Sequence, residues 1–301
     1  LRFFKGHGLG NDYIALEFPD LAGPSAEPSR DAIRLLCDRH RGIGSDGILA
    51  RWPSDAADFG LRIFNPDGSE AEKSGNGLRI FAAYLLDRGD IANDARFTVE
   101  TPGGVVMMAL LGRSDGVLTV EVEMGRASFS SSALAMPGPE RELGTETLEL
   151  EAGDRFAADP VSLGNPHCVI FQDELDPDDL RRRGPQVCSH PWFGRGTNVQ
   201  FARVAGSGAV EAWIWERGAG ETLTSGSSAC AVAAVAVRRG LVTDREVEVR
   251  MPGGTLHVTV GEDFEIVLRG PVEGAYRGEL APDLARRVAE LSTHVATDLT
   301  V

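Results

Sequence analysis

Two polar, glycine-rich stretches each set a hydroxyl and a glycine at the mouth of an apolar run. The first is Asn65-Pro-Asp-Gly-Ser-Glu-Ala-Glu-Lys-Ser74-Gly75-Asn76-Gly77, followed by Leu78-Arg-Ile-Phe-Ala-Ala-Tyr-Leu-Leu. The second is Glu216-Arg217-Gly-Ala-Gly-Glu-Thr-Leu-Thr-Ser225-Gly226-Ser227-Ser228, followed by Ala229-Cys-Ala-Val-Ala-Ala-Val-Ala-Val. A loop that opens onto a helix offers backbone N–H groups and the positive end of a dipole to an anion. Two such junctions suit a single site with two similar walls. They fit inversion of a carbon that bears hydrogen, in which one group removes the proton and another returns one from the opposite face. The intervening carbanion needs electrostatic support, and two helix starts could give it to a carboxylate without a metal or an organic cofactor.

The elements that must hold these junctions recur along the chain. Phe59-Gly-Leu-Arg-Ile-Phe alternates as a half-buried strand does and delivers Asn65, while Val210-Glu-Ala-Trp-Ile-Trp delivers Glu216. A helix is predicted from about Gly75 to Asp87, stopped by Arg88-Gly89, and a second one runs up to Arg239-Gly240. Further strands are predicted at Val105–Leu111 and Val117–Met124, with helices over Arg30–Arg39 and Asp176–Gly184 and a final one over Pro282–Leu291. Pro19–Pro28 reads as a polar loop. Asn65 and Glu216, Glu70 and Glu221, Ser74 and Ser225, and Gly89 and Gly240 are each 151 residues apart. So constant an offset predicts an internal duplication. The expected class is α+β, with two pseudo-symmetric halves, each a strongly bent, mostly antiparallel sheet around a central helix. The expected halves are 1–126 with about 270–301, and 127–269, with an active-site cleft between them. The serine-rich stretch Ala127–Arg141 is the expected crossover.

Composition narrows the partners. A net charge of −15 argues against nucleic acid, whose phosphates call for Lys and Arg stripes. The longest apolar runs are too short to span a bilayer, and no basic-then-apolar segment opens the chain, so a cytoplasmic setting is expected. Cys37, Cys168, Cys188 and Cys230 lack C-x-x-C spacing, so buried thiols are expected rather than a zinc site or a redox pair.

Five motifs together resemble the diaminopimelate epimerase family: His7-Gly-Leu-Gly-Asn11-Asp12, the Asn65–Gly77 stretch, Gly164-Asn165-Pro-His167-Cys-Val, Thr197-Asn198, and Glu216-Arg217-Gly-Ala-Gly-Glu-Thr. They fall in the same order from Arg2 to about Gly274. The resemblance implies cofactor-independent inversion at the α-carbon of diaminopimelate, a precursor for lysine and peptidoglycan, with no metal and usually as a homodimer. It implies that Asn11, Asn65, Asn165 and Asn198 bind substrate, and that Glu216 and Arg217 hold its amino and carboxylate ends. It makes Gly75-Asn76 and Gly226-Ser227 the backbone donors, and places His167 beside the catalytic pair. The expected catalytic group is thus Ser74, Ser225, His167 and Glu216.

Two departures bear on the chemistry. The family has cysteine at both base positions, where this chain has Ser74 and Ser225. Position 47 is glycine, where the family commonly has a polar side chain. A thiol titrates near 8.5 and a helix N-terminus lowers it further, whereas a serine hydroxyl is a poor base unless a neighbour takes its proton. Glu70, Glu72, Lys73 and Glu221 lie near in sequence, and His167 could arrive through the fold. Lys73 is expected to be an exposed charge. Isomerisation or dehydration of another small acid on the same fold, or amino-acid binding without catalysis, stays open at this point.

Overall fold

The computed structural model describes residues 1–22, 27–150 and 153–294. It divides into two compact units, 1–122 with 271–301 and 123–270, each built from mostly antiparallel strands and a few helices. The chain leaves the first unit before the serine-rich stretch, which belongs to the second. There Ser128 bridges to Ser162 and Ser130 to Glu142.

The first unit opens with the hairpin β1 (Arg2–Gly8) and β2 (Asn11–Glu17), closed by Leu9 and Gly10, both at positive φ. Such a turn matches the right-handed twist of its strands, and it sets Asn11 at the head of β2. The short helix α1 (Phe18–Ala22) follows in part of the expected polar loop, the rest of which includes residues 23–26, outside the described residues. Its Phe18 and Leu21 are buried, and that apolar contact outweighs the loop-like look of Phe-Pro-Asp. Helix α2 (Arg30–Cys37), capped by the Ser29 hydroxyl, returns the chain to β3 (Ile48–Trp52), parallel to β2. Strands β4 (Phe59–Phe64) and β5 (Glu70–Ala71) lead to α3 (Gly75–Arg88). From there β6 (Arg96–Thr101), parallel to β4, continues into β7 (Gly104–Ser114) and β8 (Val117–Arg126).

The second unit repeats that order. After β9 (Glu146–Glu149), the hairpin β10 (Arg155–Ser162) and β11 (Pro166–Phe171) leads through α4 (Pro177–Cys188) to β12 (Asn198–Gly206), parallel to β11. α4 runs past the predicted Gly184 stop, with Pro185 inside it. Strands β13 (Ala209–Glu216) and β14 (Gly220–Thr222) precede α5 (Gly226–Arg238), and β15 (Glu246–Met251) lies parallel to β13. β16 (Gly254–Val260) and β17 (Glu265–Glu279) follow. The far end of β17 lies in the first unit, pairs with β1, and is followed there by α6 (Pro282–His294). Apart from β9, which pairs with β10 and has no counterpart in the first unit, the strands of the two units follow one order and one set of directions, the pattern of a duplication.

Each unit folds around one helix. Every residue of α3 from Gly75 to Leu85 is buried, and so is every residue of α5 from Ser228 to Ala236. A helix apolar on all sides belongs in a core. α5 packs against β10 to β13, β15 and β16, so the sheet curls around it. In the first unit a further cluster joins Ile14, Leu16, Ile33, Leu36, Ile48 and Phe64 to Val288 of α6, which closes that side as expected of it. Cys37, Cys168 and Cys230 are buried and Cys188 is half-buried.

Candidate active site

In the first unit Ser74 is the N-cap of α3, with extended backbone (φ −140°, ψ 117°), and its Oγ accepts the Gly77 N–H at 3.0 Å. Serine is among the best residues for this role, because its oxygen takes one of the amides that a helix start leaves without a partner. Gly75 and Asn76 are the first two residues of α3. Asn65 holds its own turn, its Nδ2 donating to Ser69 Oγ at 2.9 Å.

Asn11 sits in a chain of hydrogen bonds whose direction is fixed by chemistry. Arg79, fully buried on α3, can only donate, and its Nη2 reaches Asn76 Oδ1 at 2.7 Å. The Asn76 amide therefore turns its Nδ2 to Asn11 Oδ1 at 3.0 Å, and Asn11 Nδ2 donates to the Asp46 carboxylate at 2.9 Å. Arg39 then bridges Asp46 and Asp12, at 2.7 Å to each, and Lys5 pairs with Asp12 at 2.6 Å. Burial raises the Asp12 carboxyl, but bonds from Arg39 and Lys5 outweigh it and bring it down to about 2. Burial and the Asp12 charge push Asp46 up instead. The amide orientation of Asn11 is thus imposed from both ends.

The second unit reaches a similar result with other residues. Ser225 caps α5, and its Oγ accepts the Ser228 N–H at 3.4 Å. The β10–β11 turn, with Gly164 at φ 92°, presents Asn165. His167 is fully buried. Gln200 Nε2 donates to its Nδ1 at 3.0 Å and to Ser228 Oγ at 2.9 Å. That leaves the imidazole proton on Nε2, which donates to Asn165 Oδ1 at 3.0 Å. Burial, aided by the Arg217 charge, brings His167 down to about 3. It is therefore a neutral brace for Asn165, with both ring nitrogens engaged, and this geometry does not offer it as a proton acceptor. Asn198 donates to the Pro166 carbonyl at 3.3 Å and accepts the Arg217 N–H at 2.9 Å, so it holds the turn that carries Glu216 and Arg217. Arg217 itself is exposed, with Nη1 on the Arg195 carbonyl at 3.1 Å. Gly226 is buried and Ser227 half-buried at the head of α5.

Two of the acids near the serines in sequence, Glu70 and Glu221, are engaged elsewhere. Glu70 forms a two-pronged pair with Arg62, at 2.7 Å on each prong, and Glu221 does the same with Arg181 at 2.8 and 3.1 Å. Lys73 is half-buried rather than exposed. Three residues that support the site escaped the sequence reading: Tyr13, Arg79 and Gln200. A single arginine inside the apolar run Leu78–Leu86 was a legible signal for Arg79. Gln200 carried no local mark, and the partner of Tyr13 lies 61 residues away in sequence.

The family model described as diaminopimelate epimerase matches residues 3–130 and 160–274. Diaminopimelate epimerase 2 of Nostoc sp. is 44% identical over 285 residues, covering 94% of this chain and 97% of that protein. Diaminopimelate epimerase of Pelotomaculum thermopropionicum is 41% identical, covering 93% and 98%. Among solved structures, a hydroxyproline epimerase from Agrobacterium vitis superposes with a TM-score of 0.67 at 17% identity, covering 96% and 98%. A predicted epimerase from Pseudomonas aeruginosa gives 0.64 at 20%, covering 93% and 98%. At such identities the structures speak for the fold alone.

Proposed function

The chain belongs to the diaminopimelate epimerase family, and from that premise we propose that it interconverts the LL and meso isomers of diaminopimelate by proton transfer at the α-carbon. The observation that carries this reading is the paired design of the two units. In each, a hydroxyl caps the central helix, and an asparagine is held in one orientation by hydrogen bonds linked to the first turns of that helix. Helix-start amides then receive the substrate carboxylate, and the charge that develops on the α-carbon is delocalised into it. Asn11, Asn65, Asn165 and Asn198 bind the substrate, with Glu216 and Arg217 at its amino and carboxylate ends.

Ser74 and Ser225 stand at the two base positions. A hydroxyl in that place is a far weaker base than a thiolate, so proton transfer runs slowly here. The reading extends to a cytoplasmic homodimer that takes part in lysine precursor synthesis. Light scattering on a sizing column checks the assembly, with twice the chain mass of 32.2 kDa expected.

The test is substrate-resolved. Single stereoisomers of diaminopimelate, lysine and 4-hydroxyproline are incubated with the protein in deuterated water, and the α-proton signal is followed by NMR. Slow exchange confined to diaminopimelate is expected. Exchange of another acid in preference to diaminopimelate, loss of water or a shifted double bond would contradict the reading.

A further inference from the structure

The catalytic position in the first unit has a hydroxyl neighbour that the proposed reaction has not used. Tyr13, on β2, is buried, and its Oη lies 3.4 Å from Ser74 Oγ. Either oxygen could donate. Glycine at position 47 lets the ring come this close. A Cβ built there would fall 2.6 Å from Tyr13 Cε1 and 2.6 Å from the Phe64 carbonyl oxygen. No real side chain sits at such distances, so the tyrosine ring and the Phe64 backbone occupy the place that a residue-47 side chain would need. The two departures in this unit are therefore linked through Tyr13: a serine at the base position, and a glycine whose missing side chain admits a phenol against that serine.

We infer that Tyr13 works through Ser74 as its proton partner, which rests on the epimerase reading above. A phenol ordinarily titrates near 10 and exchanges protons far more readily than an aliphatic hydroxyl. Ser74 Oγ already accepts the Gly77 N–H, so its own proton is directed elsewhere. When this side returns a proton, Ser74 passes its hydroxyl proton to the carbanion. A C–H bond forms from the carbanion lone pair as the Ser74 O–H bond breaks. Tyr13 Oη–H gives its proton to Ser74 Oγ, and the phenolate left behind is reprotonated by solvent water. Removal of the α-proton is the reverse: Ser74 takes the proton from carbon as the phenolate takes the proton of Ser74. Charge and protons balance in both directions. The 3.4 Å separation is long for a hydrogen bond, and contacts of this kind tighten once substrate is bound.

A cycle of variants separates this role from packing. Tyr13→Phe keeps the ring and removes only the oxygen. In the Ser74 chain it should cut the deuterium wash-in rate of diaminopimelate at least tenfold, with KM unchanged. With Ser74→Cys introduced, the thiol ionises without help, so the same change should cost less than threefold. An equal loss in both backgrounds would overturn the relay while leaving the epimerase reading intact. No exchange by any variant, Ser74→Cys with Ser225→Cys included, would overturn the epimerase reading and the relay with it. A second measurement needs no turnover. In protein labelled with 13C at tyrosine Cζ, the resonance that Tyr13→Phe removes should move on Ser74→Ala, and a resonance that stays in place would overturn the contact.

Discussion

Ser74 and Ser225 each have two jobs that favour different atoms. As helix caps they accept a first-turn amide, and for this an oxygen is far better suited than a sulfur. In the proton-carrying role proposed for them, a hydroxyl loses to a thiol, whose ionised form a helix start stabilises. Ser74→Cys and Ser225→Cys should therefore each lower stability by about 1 kcal/mol, the usual worth of a cap. Thermal or denaturant unfolding reads this directly, and an unchanged midpoint would show that the cap bonds carry little weight. His167 gives a pH signature. Its folded value of about 3 lies below the ordinary 6.5, so between these values the unfolded chain holds a proton that the folded one lacks. This part of the stability is complete above pH 6.5 and declines as pH falls toward 3, by up to about 1.4 kcal/mol per pH unit. Asp12 weakens the fold only at lower pH, from its ordinary 3.8 down to about 2, with Asp46 acting in the opposite sense. Stability measured from pH 7 to 4 should therefore fall more steeply for the native chain than for His167→Gln. Parallel curves would refute the neutral buried imidazole.

Among the elements, the central helices were legible and their supports were not. Both were marked by a hydroxyl cap, an apolar run and a closing glycine. α3 ends at Gly89 with φ 80°, and Gly240 follows α5 with φ 65°. A Cβ at either glycine would meet nothing within 4 Å, so only backbone strain opposes a substitution. Gly89→Ala and Gly240→Ala should each cost about 1 kcal/mol. Gly42→Ala should be far more damaging, because its Cβ would fall 1.9 Å from the Leu35 carbonyl oxygen. Equal melting temperatures for Gly42→Ala and Gly89→Ala would contradict this. The short helix α1 was not legible because Phe18-Pro19-Asp20 reads as a turn until Leu21 finds its buried site. Tyr13 and Gln200 escaped for a related reason. Their roles come from partners brought near by strand pairing, and spacing along the chain does not record that.

At the scale of the whole molecule, one topology is written twice and serves one chemistry with different atoms. Asn11 is oriented through Asn76 and Arg79, and Asn165 through His167 and Gln200. The offset of 151 residues made the duplication visible in sequence, whereas the braces differ between the copies and so left no repeat to find. What both copies retain is a held asparagine and a hydroxyl at the start of the central helix, the frame that the proposed reaction uses. In the proposed reaction, the rate of α-proton exchange is then set by those two oxygens and not by the frame. The most direct measurement compares deuterium wash-in into diaminopimelate by the native chain and by the Ser74→Cys, Ser225→Cys double variant under identical conditions. A gain of roughly 100-fold or more, the usual contribution of a well-matched acid–base group, is the expected result. Equal rates in the two proteins, or no exchange in either, would contradict it.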